Sequence, residues 1–308
     1  MSDNRIAVAG ATGRIGTALI AQLVEAPVEV VALTRDVNTD RLPADLRRRA
    51  VDFADQATLE GAMQGASRLF LAHGTSPQQT ENEIALIDAA VRAGVSHIVK
   101  VSAMGPASKL HPFDWHMKIE AHLATYDIGY TVLRASTFVD ILTRDAISVA
   151  SGTWGGSSKE GRVNLVDTRD VADVAFKALL DNHHVDAQRA FHLTGPAAVT
   201  MTEIAEELTR LLDRKVTYEH RTPEAQREYL IQIGWTEMTA NMRLGLERIF
   251  RESVLSETTD TYKMFTGQEP RSVANWLADN IDAFQRGRYA LDARGRASSN
   301  ETQPAVRY

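Results

Sequence analysis

The sequence predicts an α/β fold of the doubly wound kind, a parallel sheet with helices on both faces, joined to a smaller, mainly helical C-terminal region. Three observations predict it. Short apolar runs alternate with longer amphipathic stretches through the first two thirds of the chain. The runs are apolar almost without interruption, as strands covered on both faces are. The first run ends in a glycine-rich turn, "GATGRIG", that opens a helical pattern.

The elements follow in order. Strands are expected over residues 6–9, 28–33, 69–72, 97–102, 130–133 and 191–193. Between them, helices are expected over 13–25, 80–93 and 114–126. The second of these places Ile84, Ile87 and Val91 on one face and stops at Gly94, a residue that tolerates the left-handed turn at a helix end. The third places Trp115, Ile119 and Leu123 together. "TRDVADVAFKALL" starts with Thr168 as a cap and aligns Val171, Val174, Ala175, Ala178 and Leu179. Thr200 and Glu203 have the spacing of a capping box, and Pro223 follows Thr222 at a first helical position. Helices over 238–251 and 271–284 complete the pattern. This divides the chain into a sheet domain over 1–155, its sheet completed by 163–195, a helical region over 196–285, and a polar, disordered tail over 286–308.

Composition excludes several classes. The chain has 308 residues, 44% of them hydrophobic, enough for a sizeable core. A net charge of −6 offers no general attraction to nucleic acid or anionic membrane. With no cysteine there is no disulfide, thiolate metal site or cysteine nucleophile. The nine histidines show no metal-ligand spacing, and no Gly-x-Ser-x-Gly elbow is present, so neither a metal centre nor a serine hydrolase is expected. Residues 1–5 do not read as a signal peptide, and no apolar stretch has the length of a membrane span. A cytoplasmic protein, monomer or homodimer, is expected.

The glycines carry the first functional signal. A parallel strand, a glycine-rich turn and a helix N-terminus form a phosphate cradle, because the helix end offers unpaired N–H groups and a partial positive charge. Gly10 permits the tight turn, Gly13 lets backbone approach a pyrophosphate, and Gly16 brings helix and strand together; Thr12, Arg14 and Ile15 complete the turn. The spacing is G-x-x-G-x-x-G. In NAD sites an acidic residue at the end of the second strand takes the ribose hydroxyls. Here Arg35 stands there, followed by Asp36. Arg35, with Arg14, suits a 2′-phosphate, so NADPH is the expected cofactor; Asp36 leaves NADH open.

At this point the sequence resembles the NmrA-like family of atypical short-chain dehydrogenase/reductases. The resemblance spans roughly residues 4–285 and rests on "VAGATGRIG", "ALTRD", "HIVKVSAMG", "HMKIEAHLATYDIGYTVLRASTFVDIL" and "VNLVDTRDVADVA". It implies a dinucleotide across the C-terminal ends of a Rossmann sheet. Asp52 and Phe53 would meet the adenine. Ala72, His73 and Gly74 would line the ribose and phosphate path. Ser102 would approach the nicotinamide, and Ser136 and Phe138 would close over its other side.

The resemblance also implies a departure. Carbonyl reductases of the wider superfamily use a serine and Tyr-x-x-x-Lys. Ser102 and Lys118 fit the serine and lysine positions, but Asp114 stands where the tyrosine belongs. Three explanations compete: an acceptor that needs no strong acid, a substitute donor such as His116 or His111, or no turnover at all. The first gives the leading expectation, direct hydride transfer from NADPH, without flavin, to a small conjugated acceptor such as a quinone, an azo or related dye, or an enone. The alternative is a redox sensor that binds the dinucleotide and acts through a protein partner. Trp154, Met104 and Phe138 are candidates for a flat apolar wall or for plain core.

Overall fold

The computed structural model describes residues 4–105, 112–184 and 187–286. His111 and the tail beyond Arg286 lie outside the described residues. The chain divides into two compact units: Met1–Ala135, Thr168–Leu193 and Asp260–Gln268 in the first, Ser136–Asp167, Thr194–Thr259 and Glu269–Tyr308 in the second. Residues 136–155, expected with the sheet, thus group with the second unit, and 260–268 return to the first.

The first unit holds a seven-stranded sheet, all parallel. In chain order it contains β1 (Arg5–Ala9), α1 (Arg14–Leu23), β2 (Glu29–Thr34), β3 (Arg47–Ala50), α2 (Gln56–Met63), β4 (Arg68–Leu71), α3 (Gln79–Arg92), β5 (His97–Ala103), α4 (Phe113–Leu123), β6 (Gly129–Ala135), α5 (Thr168–Leu180) and β7 (Gln188–Leu193). The strand order is β7-β6-β5-β4-β1-β2-β3, which reverses direction from β1, so the crevice beside β1 is a topological switch point. Helices α2, α3 and α4 pack side by side, as do α1 and α5. The six expected strands all form, within a few residues of their expected ends. Besides the helix Thr261–Thr266, which packs on α5 and β7 of this unit, two elements escaped the reading. The strand β3 is "RRRA", whose four residues carry no apolar alternation because it is an edge strand. The helix α2 is a short helix capped by Asp55, whose side chain accepts from Ala57 N. Thr168 is the first residue of α5, one place inside the expected cap position.

The core of this unit is what its apolar runs require. Ala7, Leu69, Ile98, Ile119 and Leu123 are fully buried. Each buried leucine or isoleucine contributes about 1.5–3 kcal/mol.

The second unit is mainly helical, with small sheets of three and two strands. The capping box of Thr200 and Glu203 is present on Met201–Leu212, and Pro223 opens Pro223–Gln232 after the Thr222 cap. The expected single helix over 271–284 is two, Val273–Asp279 and Ile281–Arg286, broken at Asn280. Trp154 is buried edge-on against Tyr218, so it serves this unit's packing. Met104 is likewise buried, in the first unit. Among the described residues no helix is long and apolar enough to cross a membrane.

Candidate functional site

The turn between β1 and α1 is built from backbone. Gly10 has φ +76°, and a Cβ there would lie 2.3 Å from the carbonyl oxygen of Ala72. Both facts exclude a side chain. A Cβ on Gly16 would lie 2.2 Å from the Gly10 carbonyl oxygen and 2.9 Å from Ala11 Cα. Gly16 therefore seats α1 on the turn itself, a closer task than seating it on the strand. Gly13 donates its N–H to Gly10 O at 2.9 Å and occupies the cap position of α1, with extended backbone and no capping side chain. The first N–H groups of α1 thus lack the side-chain partner that most helices supply. Thr12 is half-buried, Ile15 is buried, and Arg14 is exposed. Such a cradle, closed to side chains and open at its amide end, fits a diphosphate.

Beyond β2, Arg35 is exposed and makes no hydrogen bond or ion pair among the described residues. The Asp36 carboxylate instead shapes its own loop, accepting from Asn38 N at 2.9 Å. Sequence reasoning missed Arg41. Its Nη1 donates to Thr12 O at 3.2 Å, which brings a second guanidinium from this loop to the glycine turn. Nothing in the local sequence distinguishes it from a surface arginine.

The other expected contacts lie after β3 and β4. Asp52 is exposed and accepts from Ala54 N at 2.9 Å. Phe53 meets the His73 ring edge-on, centroids 5.9 Å apart, and lines a groove of about 500 Å³ between α2 and α3. His73 faces the Asn82 amide nitrogen through Nε2 at 3.1 Å and Gly74 O through Nδ1 at 2.6 Å. Ser136 and Phe138 belong to the second unit, where Ser136 Oγ donates to Asn164 O at 2.6 Å.

The corner between β5 and α4 is built from side chains, and they partner one another. Ser102 Oγ donates to Glu120 Oε1 at 2.5 Å, and Glu120 holds Arg134 through Nη2 at 2.6 Å. Lys118 is two residues from Glu120, hence about 200° around α4. Its side chain is 64% exposed, with its Nζ 3.6 Å from Asp114, one turn earlier. So Asp114 occupies the place of the absent tyrosine and faces the lysine's charge. No hydrogen bond or ion pair links Ser102 with Lys118 among the described residues.

His116, expected as one candidate for a substitute donor, joins a network of side chains from β5 and α3. Its Nδ1 lies 3.3 Å from Lys100 Nζ and its Nε2 lies 3.3 Å from the Gln79 amide nitrogen. Both neighbours are donors, so a protonated ring would turn two N–H groups on two donors. Burial first, then the charges of Lys100 and His73, holds its pKa well below the ordinary value. Its place between Lys100 and Gln79 thus disfavours the protonated ring. The rest of that network is Lys100 paired to Glu83 at 2.6 Å, both fully buried, and Gln79, which donates to Glu83 at 2.8 Å. The signal for it was present: a lysine within "HIVKVSA" cannot be buried without a partner. Among the described residues no group of three or more His, Asp or Glu is placed to hold a metal ion.

Comparison with known proteins agrees with this geometry. A model of the NmrA-like family matches residues 2–277. An NAD(P)H azoreductase of Xenophilus azovorans is 29% identical, over 91% of this chain and 99% of its own. The (4-alkanoyl-5-oxo-2,5-dihydrofuran-3-yl)methyl phosphate reductase of Streptomyces griseus is also 29% identical, over 91% of this chain and 99% of its own. The crystal structure of an NADPH-dependent quinone oxidoreductase of Escherichia coli, complexed with NADPH, superposes with a TM-score of 0.82 at 25% identity, covering 90% of this chain and 99% of that one.

Proposed function

The chain belongs to the NmrA-like family, and from that premise we propose that it is an NAD(P)H-dependent reductase of small conjugated acceptors such as quinones, azo dyes and enones. The observation that carries the reading is the β1–α1 turn, where Gly10 and Gly16 leave no room for a Cβ and α1 presents an uncapped amide end. Gly10, Thr12, Gly13, Arg14, Ile15 and Gly16 would hold the diphosphate. Arg35 and Arg41 would take the 2′-phosphate, which favours NADPH because Asp36 is engaged by its own loop. Asp52 and Phe53 would bound the adenine, and Ala72, His73 and Gly74 the ribose and phosphates. Ser136 and Phe138 are kept as candidates for contact with the nicotinamide on the family resemblance alone.

When bound, the reduced nicotinamide supplies a hydride, and no flavin is required. The protein's own residues supply position more than protons. Lys118 would orient the ribose hydroxyls with its ammonium, and Ser102, fixed by Glu120, would bound the nicotinamide edge. With Asp114 in place of a tyrosine and His116 held neutral, this corner offers no strong acid. That suits an acceptor whose reduced form is a delocalised anion, which water protonates. We place the protein in the cytoplasm, with no nucleic-acid partner.

The test is a spectrophotometric screen of nicotinamide oxidation with quinones and azo dyes. Steady NADPH consumption is expected. Tight binding without turnover would instead support a sensor. Arg35→Ala should weaken NADPH binding by about tenfold, the size of a charge-assisted hydrogen bond, and leave NADH binding unchanged. Equal losses for the two nucleotides would remove Arg35 from the phosphate site.

A further inference from the structure

Three elements meet at Ser102. It stands on β5 in register with Arg134 of β6, and Glu120 reaches it from α4. The serine is buried, and among the described residues its hydroxyl bonds to Glu120 Oε1 alone, at 2.5 Å. The other carboxylate oxygen, Oε2, faces Arg134, which donates from Nε at 3.0 Å and from Nη2 at 2.6 Å. A longer contact, 3.3 Å, runs from Arg134 Nε to Oε1.

These contacts fix where the protons are. A carboxylate paired with a guanidinium only accepts hydrogen bonds. Ser102 is therefore the donor, and a hydroxyl has a single proton to give. Toward any other group Ser102 presents lone pairs.

We propose, building on the NAD(P)H reading of this chain, that Glu120 is a positioning residue that makes Ser102 an acceptor for the carboxamide N–H of bound nicotinamide, and so confines turnover to conjugated acceptors. The carboxamide NH2 is the hydrogen-bond donor of the nicotinamide ring, and lone pairs at the ring's edge select it. The choice of acceptor follows from the same polarity. Hydride transfer to an isolated ketone or aldehyde puts a full charge on one oxygen, which needs a donor beside it. Ser102 turns lone pairs on that oxygen and repels it. A quinone that takes the hydride becomes an anion spread over its ring. Water then gives the second proton, and the nicotinamide is left oxidised. Such an anion needs no donor from Ser102.

Binding of NADP+ and of its acetylpyridine analogue, in which a methyl replaces the carboxamide NH2, reads the polarity without turnover. The wild type should bind the analogue about three- to tenfold more weakly, the size of one hydrogen bond. Glu120→Gln reverses the serine. Arg134 keeps the amide oxygen on its own side, so the amide NH2 faces Ser102 and donates to it. The serine proton is then released, and the two nucleotides should bind alike, because each offers it a carbonyl oxygen. Ser102→Ala should also bind them alike. Each comparison sets two ligands against one protein, so a loss of stability cancels. Equal binding by the wild type overturns the proposal, and so does discrimination that survives Glu120→Gln. Turnover gives a second readout: Glu120→Gln should raise the ratio of simple-aldehyde to quinone reduction by about tenfold or more. An unchanged ratio overturns the link to acceptor choice. A wild type that binds neither nucleotide overturns the cofactor reading itself, which is a different failure.

Discussion

The β1–α1 turn and the β5–α4 corner both lie where parallel strands of the same sheet end and helices begin, yet they are built from different materials. The turn is backbone. Its shape follows from glycines at which a Cβ has no room, and its chemistry is that of amide groups at a helix end. The corner is side chains already engaged with one another: Ser102 with Glu120, Lys118 with Asp114, His116 with Lys100 and Gln79. A backbone cradle binds whatever polar side chains surround it. A side-chain corner does only what its mutual contacts leave over. The difference teaches why this chain reads clearly as a nucleotide binder and less directly as a proton donor.

The sharpest way to break the comparison is to remove one partner from the corner's buried pair. Lys100→Met leaves the Glu83 carboxylate fully buried without its cation. It should cost about 3–5 kcal/mol in urea unfolding, while adding Glu83→Met should restore most of the loss. A single-variant loss below about 1 kcal/mol would mean that water reaches the pair and the corner is not sealed.

The turn should respond next. Gly16→Ala drives a Cβ to 2.2 Å from the Gly10 carbonyl, so the helix must lift or the turn must shift. We expect a loss on the order of 3 kcal/mol, as for other steric conflicts in packed backbone. Nucleotide affinity should fall beyond what the lost stability explains. Gly61→Ala in α2 is the control, because a Cβ there meets nothing within 4 Å. It should be neutral or stabilising by about 0.5–1 kcal/mol. Similar effects from both substitutions would show that glycine entropy, and not the cradle, governs the turn.

These contrasts explain what was legible. Every expected strand of the main sheet formed because burial on both faces writes a continuous apolar run, and the glycine spacing reported the turn directly. The strand β3 was invisible because an exposed edge needs no apolar residues, and Asn280 split a helix whose amphipathic pattern runs through the break. Ser102 and Lys118 were taken from the family resemblance, and His116 for its place beside Asp114. The partners of Ser102 and His116, namely Glu120, Lys100 and Gln79, lie 16 to 37 residues away, and only the packing of α3 and α4 on the sheet assembles them. Lys100 went unread, although a charge inside an apolar run calls for a buried counterion.

The mildest test concerns His116 and proceeds by pH. The groups facing its ring are Lys100 from β5, Gln79 from α3, and His73 from the loop after β4, with Glu83 of α3 holding the first two. Its folded-state pKa lies well below the ordinary 6.5, so below that pH the unfolded chain takes up a proton that the folded chain refuses. Stability contributed by the neutral ring is therefore complete above pH 6.5 and declines as the pH falls toward the folded pKa. The decline should reach about 1.4 kcal/mol per pH unit from this one group. His116→Gln keeps an acceptor for Lys100 but cannot titrate, so its stability curve should be flatter over that window. Every other group is common to the two proteins and cancels in the difference. Parallel curves for the two proteins would mean that His116 is solvated and free to protonate, and the corner would regain a proton donor.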